Sequence, residues 1–308
     1  MATETLPIGL RDGVLVPLVR AQRRRTPGRF GDHEIVTPLA RGGMASVYLA
    51  AHARTGERVA LKVLDPAFAT SPDLAARLVG EHAIAARACH PGLLAVHAAG
   101  HTDEQVPYLV MEYLEGETLA QLAARGPLDL AEVAAIGAQI ASALAALHAA
   151  GVVHCDVKHE NVFVLAGERF GGGLAPRIKV IDFGVSREID APADPDATIA
   201  GTPWCMAPEQ WSGAPVAASD VYALGCLLYE LTTGTPPFDG SLPELMMAHL
   251  EQRPARPSWL RTMPIDLERV ILRALAKDPA ARPPMAQLAD ALFELHDAWG
   301  PPRLARAS

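Results

Sequence analysis

The spacing of hydrophobic and polar positions changes about a third of the way along the chain. Residues 35–64 contain short apolar runs rich in β-branched side chains, among them residues 46–49 and 59–64. A polar, turn-like segment at residues 54–57 separates these two runs. Short runs of this kind, joined by turns, predict an antiparallel meander of strands.

Helical spacing begins after this region. Ser71 and Pro72 predict the start of a first helix, because a hydroxyl can cap free N–H groups and proline suits the first turn. Asp129 and Glu132 form a capping-box signature for another helix. The apolar residues that follow recur every three or four positions and so share one helical face: Val133, Ile136, Ile140, Leu144 and Leu147.

Two further helices are predicted nearer the C-terminus. Ser219 stands where it can cap a helix that runs through Leu231 and that Gly234 would end. Pro283 and Pro284 predict the start of a last helix. The whole pattern predicts an α+β fold with two lobes, a small antiparallel β-sheet with one helix followed by a larger helical lobe.

The same pattern predicts how the chain is divided. The N-terminal segment has no sustained period and contains a basic cluster, which predicts a flexible, solvated arm rather than a site for acidic lipids or a partner. The expected boundaries are an arm at 1–30, one folded unit at 31–298 and a tail at 299–308. Within the folded unit we expect a small lobe at 31–111, a hinge at 112–116 and a large lobe at 117–298.

Charge and cysteine usage exclude several classes of protein. The net charge of −8 argues against a nucleic-acid partner, since proteins that bind phosphate backbones concentrate positive charge. Four cysteines without a CxxC pair favour a reducing cytoplasm over a disulfide scaffold. The apolar stretch at 130–153 contains Glu132, Gln139 and His148, so it predicts a buried helix and no integral membrane segment is expected. The chain ends soon after the last predicted helix, so no sensor domain or anchor is expected.

Residues 39–47 read Leu-Ala-Arg-Gly-Gly-Met-Ala-Ser-Val and resemble the glycine-rich loop that covers the ATP phosphates in protein kinases. The family pattern GxGxxGxV becomes AxGxxAxV, because Ala40 and Ala45 replace two of the glycines. On this segment alone an ordinary hairpin turn remains the alternative. The resemblance implies that the loop binds ATP through Leu39, Gly42, Gly43 and Val47.

Lys62 and Glu81 form a second point of resemblance. Period two places Lys62 on the strand face that carries Ala60 and Leu64, while Glu81 falls on the apolar stripe of the following helix. A carboxylate in that position needs a partner, because burying an unpaired charge is costly. The two residues match the lysine and helix glutamate of protein kinases, which implies an ion pair whose lysine reaches the α- and β-phosphates.

Residues 154–161 read His-Cys-Asp-Val-Lys-His-Glu-Asn and resemble the catalytic loop HRDxKxxN, while residues 182–184 resemble the DFG triplet. The resemblance implies that Asp156 is the catalytic base, that Asn161 and Asp182 bind Mg²⁺, and that Lys158 neutralises the γ-phosphoryl charge. A lysine at this position resembles the serine/threonine branch of the family. His154 is expected to pack the loop against DFG rather than to act in the chemistry.

The remaining matches concern the hinge and the large lobe. Residues 111–114 resemble the hinge, which implies that the backbone of Glu112 and Leu114 binds adenine. The residues expected to sandwich the adenine ring are Val47, Ala60 and Phe163. In the large lobe the motifs Gly201-Thr202-Pro203 and Ala207-Pro208-Glu209 precede Asp220 and Arg282. The resemblance implies a buried pair between Glu209 and Arg282, and an Asp220 that holds the catalytic-loop backbone.

These motifs occur in the family's order over residues 34–298 and resemble bacterial Hanks-type serine/threonine kinases. The resemblance implies an enzyme that uses ATP and Mg²⁺ to phosphorylate Ser/Thr hydroxyls of protein substrates. The alternatives are an ATP-binding pseudokinase scaffold, suggested by the lost loop glycines, and a small-molecule phosphotransferase, which the large-lobe motifs disfavour.

Regulation is a separate expectation. Cys155 replaces the arginine that pairs with a phosphorylated activation loop, so the catalytic loop is of the non-RD type with the sequence HCD. We therefore expect constitutive activity or a regulatory partner protein, rather than control by phosphorylation of Thr198. Substitution of the missing arginine by Arg187 or Arg77 is the alternative.

Overall fold

The computed structural model describes residues 8–11, 14–17, 28–69, 71–170, 175–189 and 201–299. Thr198 and residues 300–308 of the predicted tail lie outside these ranges. Within the predicted arm two short strands, β1 (Ile8–Arg11) and β2 (Val14–Pro17), pair antiparallel. The flexibility of the arm and the exact lobe boundaries stay predictions.

A six-stranded antiparallel sheet forms the small lobe, in the order β3-β4-β5-β6-β8-β7. The central strands β4, β5 and β6 are the predicted meander. A single helix, α1 (Pro72–Arg87), connects β6 to β7. The strands are β3 (Arg29–Phe30), β4 (His33–Arg41), β5 (Ala45–His52), β6 (Arg58–Leu64), β7 (Val96–His101) and β8 (Pro107–Glu112).

Strand β6 shows why the sheet has two different faces. Val59, Leu61 and Val63 pack into an apolar cluster with Phe30 and Tyr108. The alternate residues of β6 point the other way, because successive strand side chains lie on opposite faces. That second face packs under α1 in a cluster of Ala60, Leu64, Leu78, Leu109 and Met111.

The large lobe is mostly helical. Strand β10 pairs with β13, and β11 pairs with both β9 and β12. Its helices are α2 (Leu119–Ala123), α3 (Leu130–Ala149), α4 (Pro208–Trp211), α5 (Ala217–Thr233), α6 (Leu242–Glu251), α7 (Ile265–Ala274) and α8 (Met285–Trp299). Its strands are β9 (Gly116–Thr118), β10 (Val152–Val153), β11 (Val162–Phe170), β12 (Ala175–Val180) and β13 (Arg187–Glu188).

Helix α3 is the centre of the large-lobe core. It packs against α5, α8 and β12, and its predicted apolar residues are buried there. By length and composition, α3 is also the one helix among the described residues that could cross a membrane. Most of its apolar window is covered by the lobe, as in the core helix of a globular domain.

The helix caps partly follow the sequence prediction. The Asp129 carboxylate accepts the N–H of Ala131 at 2.9 Å, and Gly234 ends α5 with φ of 80°. Ser219 does not occupy the predicted N-cap position, because α5 begins at Ala217. From the third position of the helix, its hydroxyl oxygen accepts the Val216 N–H at 3.0 Å and its O–H donates to Glu209 at 2.6 Å. Ser71 does precede α1, but its backbone carbonyl rather than its hydroxyl makes the contact with the helix.

Candidate active site

Lys62 lies between two carboxylates that come from different parts of the chain. Its Nζ donates to both oxygens of Glu81 at 2.8 Å, and it lies 2.8 Å from Oδ1 of Asp182. Strand β6 supplies the lysine, α1 supplies Glu81, and the segment after β12 supplies Asp182. The structure therefore brings together three predicted site residues and joins the small lobe to the large one.

Burial and charge act in opposite directions on this group. Burial lowers the pKa of Lys62, but Glu81 and Asp182 outweigh it and raise that pKa above its ordinary value. Burial raises the pKa of the Glu81 carboxyl, and the nearby ammonium opposes the rise. Burial also disfavours ionised Asp182, yet Lys62 holds its pKa below the usual range. Lys62 and Asp182 are therefore charged at neutral pH.

Asp156 lies in a second polar cluster, in the loop between β10 and β11. Its Oδ2 is 2.8 Å from Lys158 Nζ and accepts from the Asn161 amide at 3.0 Å. Its Oδ1 accepts from the Thr202 hydroxyl at 2.7 Å. Lys158 also donates to Thr202 Oγ1 at 2.8 Å, which closes a triangle of contacts around the carboxylate.

Sequence reasoning alone does not identify Thr202 as a site residue. Its signal was present, since Gly201-Thr202-Pro203 precedes Ala207-Pro208-Glu209 as in the family. The motif matches the family in the large lobe but indicates no role for the hydroxyl. The contact needs a fold that brings residues 44 and 46 positions apart in the chain together.

Asp220, at the start of α5, holds the backbone of the catalytic loop. Its carboxylate accepts the N–H groups of His154 at 2.8 Å and Cys155 at 2.9 Å. His148 Nε2 lies 2.7 Å from the same carboxylate. Burial disfavours charge on Asp220, but these hydrogen bonds and the two histidines hold its pKa below the usual range. The predicted contact with the loop backbone is confirmed.

His154 contacts the triplet Asp182-Phe183-Gly184 rather than the reacting groups. Its ring meets the buried Phe183 ring edge-on at 5.8 Å, and Nε2 lies 3.3 Å from the carbonyl of Ile181. Nδ1 accepts the N–H of Asp156 at 3.3 Å. His154 therefore packs the catalytic loop against this triplet, as predicted.

The hinge segment contains a contact that the sequence did not indicate. The Glu112 carboxylate accepts the Ala95 N–H at 2.6 Å and lies 2.6 Å from Lys179 Nζ. Lys179 on β12 also donates to the carbonyl of Leu93 at 3.1 Å. These bonds fix the end of β8 against the large lobe, so the side chain of Glu112 positions the segment that leads to Leu114.

The predicted nucleotide residues lie on both sides of the hinge. Val47 packs on the apolar cluster that contains Ala60 and Met111, while Phe163 lies on β11 of the large lobe. The adenine sandwich stays a prediction. Between β4 and β5 the N–H of Gly42 donates to the Ala45 carbonyl at 2.8 Å. Residues Leu39, Gly42 and Gly43 are exposed around this turn.

Glu209 and Arg282 form the buried pair that the resemblance implies. Arg282 Nη1 and Nη2 donate to the two carboxylate oxygens at 2.6 and 3.0 Å. The remaining donors of Arg282 reach the carbonyls of Ala218, Ala276 and Lys277. This pair lies within the large lobe and contacts none of the groups around Asp156 or Lys62.

Cys155 occupies a strained position in the catalytic loop. Its φ is 68°, an uncommon value for a residue other than glycine, and its thiol is buried. Burial together with Asp220 raises the pKa of the thiol. The side chain therefore contributes neither a cation nor a thiolate to the site.

The chain is similar to known proteins over most of its length. A model of the protein kinase domain matches residues 33–293. The chain is 39% identical over 271 residues to the serine/threonine-protein kinase Pkn1 of Myxococcus xanthus, covering 86% of this chain and 38% of Pkn1. It is 37% identical over 267 residues to PknB of Mycobacterium leprae, covering 83% and 42%. The chain thus spans about two-fifths of the length of these curated relatives.

A solved structure agrees with the sequence comparison. The crystal structure of the PknI kinase domain from Mycobacterium tuberculosis superposes with a TM-score of 0.66 at 32% sequence identity. The match covers 87% of this chain and 97% of the PknI chain. The predicted two-lobed α+β architecture is confirmed.

Proposed function

Because this chain belongs to the protein kinase domain family, we propose that it transfers the γ-phosphoryl group of ATP to Ser and Thr hydroxyls of protein substrates. The observation that supports this most is the simultaneous contact of Lys62 with Glu81 and Asp182. Phosphoryl transfer depends on positioning and on charge stabilisation, and this contact joins two of the required groups across the lobes.

Asp156 is the proposed base for the attacking hydroxyl. Thr202 and Asn161 donate to its two carboxylate oxygens, so the carboxylate is held in one orientation. Lys158 lies beside the same group, and its pKa is raised: burial lowers it, but the Asp156 carboxylate outweighs that effect. A permanently charged Lys158 can therefore stabilise negative charge on the transferred group.

The residues present fit a nucleotide-bound Mg²⁺. The Asn161 amide nitrogen donates twice to Asp156, which leaves its amide oxygen free of that contact and available to a cation. The Asp182 side chain is 46% exposed and carries negative charge. Within the described ranges no three His, Cys, Asp or Glu side chains form a metal site, so phosphate oxygens would complete the shell. Bound Mg²⁺ would neutralise charge on the β- and γ-phosphates.

The names of the relatives support the choice of protein Ser/Thr hydroxyls as acceptors. Lys158 is the residue of this chain that resembles the serine/threonine branch. The four cysteines are unpaired, which supports a reducing cytoplasm as the proposed compartment.

The test is transfer of labelled phosphate from ATP with Mg²⁺ to the chain itself and to myelin basic protein, with the labelled residues mapped by mass spectrometry. We expect phosphoserine or phosphothreonine. Asp156→Asn should lower turnover by about 10²-fold or more while nucleotide binding changes little. Equal turnover in wild type and variant would remove Asp156 from the mechanism.

The pseudokinase alternative rests on Ala40 and Ala45 in the loop. It predicts that ATP binds, as measured by calorimetry, while no phosphate is transferred to any acceptor. Intact Lys62, Asp156 and Asp182 weigh against it, because a scaffold has no need of all three.

A further inference from the structure

Arg87, in the last turn of α1, connects three segments of the molecule. Its Nη1 lies 2.5 Å from Oε1 of Glu188 on β13, and its Nη2 donates to the Ala150 carbonyl at 2.9 Å. Ala150 ends α3. The guanidinium therefore bridges the small-lobe helix to the large lobe at two points.

Gly151 forms the turn against which the Arg87 guanidinium packs. Gly151 has φ of 78°, and a Cβ there would lie 3.1 Å from Arg87 Nη2. The N–H of Ile189 donates to the Gly151 carbonyl at 2.9 Å, so β13 is held against the same turn. The turn after α3 thus accommodates the arginine and positions the strand that carries its partner.

Strand β10 and helix α1, which lie beside this contact, both lead to proposed site residues. Val152 of β10 pairs with Glu188 of β13, and β10 runs directly into the catalytic loop. On α1, Glu81 lies six residues before Arg87, about 9 Å along the helix axis at 1.5 Å per residue. A movement of α1 away from both β6 and the large lobe would separate Glu81 from Lys62 and Arg87 from Glu188 together.

Glu188 supplies an acidic group for this contact without being phosphorylated. Cys155 removes the arginine through which a phosphorylated loop would bind, so a phosphate cannot use that route here. Arg87 and Glu188 already form a charge-assisted contact between α1 and the strand that begins the activation segment. This contact joins α1 to β13 without any phosphate group.

We propose that Arg87 is a positioning residue that holds α1, and with it Glu81, in the arrangement for transfer through a phosphorylation-independent pair with Glu188. The role rests on the proposed kinase function. Side-chain exposure is 42% for Arg87 and 67% for Glu188, so the pair alone shifts an equilibrium by at most about fivefold. In Arg87→Glu two carboxylates would face each other and repel, and the hydrogen bond to the Ala150 carbonyl would also be lost.

The experiment measures kcat and KM for ATP with phosphatase-treated protein and myelin basic protein as acceptor. Arg87→Glu should lower kcat about tenfold, with KM for ATP changed less than threefold, because fewer molecules have α1 in position. The exchanged pair Arg87→Glu with Glu188→Arg should recover at least half of the wild-type kcat. Arg269→Glu, which breaks an exposed pair on α7, is the matched control and should leave kcat unchanged.

Hydrogen exchange separates this proposal from the proposed function. Amides of α1 should exchange faster in Arg87→Glu than in wild type, and the charge exchange should restore protection, whether or not phosphate is transferred. An inactive wild type with this exchange pattern would overturn the kinase assignment and leave the contact in place. Unchanged α1 exchange, or kcat in Arg87→Glu equal to wild type, would overturn the positioning role.

Discussion

The molecule contains two ion-pair networks of opposite design. Lys62 meets Glu81 and Asp182, with side-chain exposures of 17%, 6% and 46%. Arg282 meets Glu209 with exposures of 0% and 13%. The Lys62 network joins elements of both lobes and contains one exposed carboxylate, that of Asp182, whereas the Arg282 network lies inside the large lobe.

The difference lies in how many bonds remain available. Arg282 uses its guanidinium fully, since two bonds reach Glu209 and the others reach three backbone carbonyls. Lys62 has only side-chain partners in this structure, and the more exposed of them is Asp182. Under the proposed function a nucleotide phosphate would replace one contact of Lys62, whereas all the donors of Arg282 are already in use. The first network suits binding and the second suits stability.

The largest expected effect is on the network of Arg282 and Glu209. Arg282→Met should lower the free energy of unfolding by about 3–5 kcal/mol, because Glu209 would be left buried without its cation. Urea unfolding followed by circular dichroism measures this. Arg269→Met on α7 removes an exposed cation and serves as control, with an expected loss below about 1 kcal/mol. A similar small loss for both variants would erase the distinction between the networks.

Lys62→Met tests the network of Lys62, Glu81 and Asp182. The expected result is a fall in kcat/KM of about 10²–10³-fold, since a preorganised charge next to the phosphates is removed. Stability should change by less than about 1 kcal/mol, because burial already raises the pKa of Glu81 and the carboxyl can take up a proton. Initial rates and urea unfolding are measured on the same samples. A destabilised protein with normal transfer would reverse the assignment of the two networks.

His249 lies in the same part of the large lobe as Arg282 and makes the stability of the protein depend on pH. The ring is buried, its Nδ1 lies 3.0 Å from the Tyr222 hydroxyl, and the Tyr222 ring lies under the Arg282 guanidinium. Burial, with Lys277 nearby, lowers the pKa of His249 from 6.5 to about 4. Between these values the unfolded chain binds a proton that the native protein does not, so stability falls as pH falls through this window.

The loss between pH 6.5 and about 4 should reach about 2–3 kcal/mol. His249→Gln keeps a hydrogen-bonding group for Tyr222 but cannot titrate, so its stability should fall less over the same window. Urea midpoints at several pH values provide the measurement. Identical slopes for wild type and variant would show that His249 is not the titrating group.

The smallest expected effect concerns the loop between β4 and β5. Ala40 lies in β4 opposite Val47, and Ala45 lies in β5 opposite Leu64. Glycine at both positions would enlarge the range of accessible backbone conformations, with an effect on the free energy on the order of 1 kcal/mol. We expect KM for ATP to fall about two- to fivefold in the Ala40→Gly, Ala45→Gly variant. A higher KM in steady-state kinetics would contradict this and indicate that a stiff loop favours binding.

Local periodicity explains what the sequence could predict. Period two along β6 was enough to place Lys62 on the face under α1, and a carboxylate on an apolar helical stripe was enough to demand a partner for it. The roles of Asp220 and of the pair Glu209–Arg282 came from resemblance rather than from spacing, and the structure shows both contacts.

Long-range contacts explain what the sequence could not predict. Lys179 and Glu112 are 67 residues apart, and Arg87 and Glu188 are 101 apart, so no local pattern connects them. The start of α5 was misplaced for a related reason. The Ser219 hydroxyl does accept an N–H at the helix start, from Val216, but it lies inside the helix, where the fold also places Glu209 within reach.

The distribution of thiols makes the molecule convenient for spectroscopy. Burial raises the pKa of Cys155, Cys205 and Cys226, which keeps these thiols protonated and slow to react. Cys89 is exposed, two residues after Arg87 at the end of α1. A maleimide dye added to the native protein therefore attaches at Cys89 without any cysteine being removed. Its fluorescence would report in real time on the helix that carries Glu81.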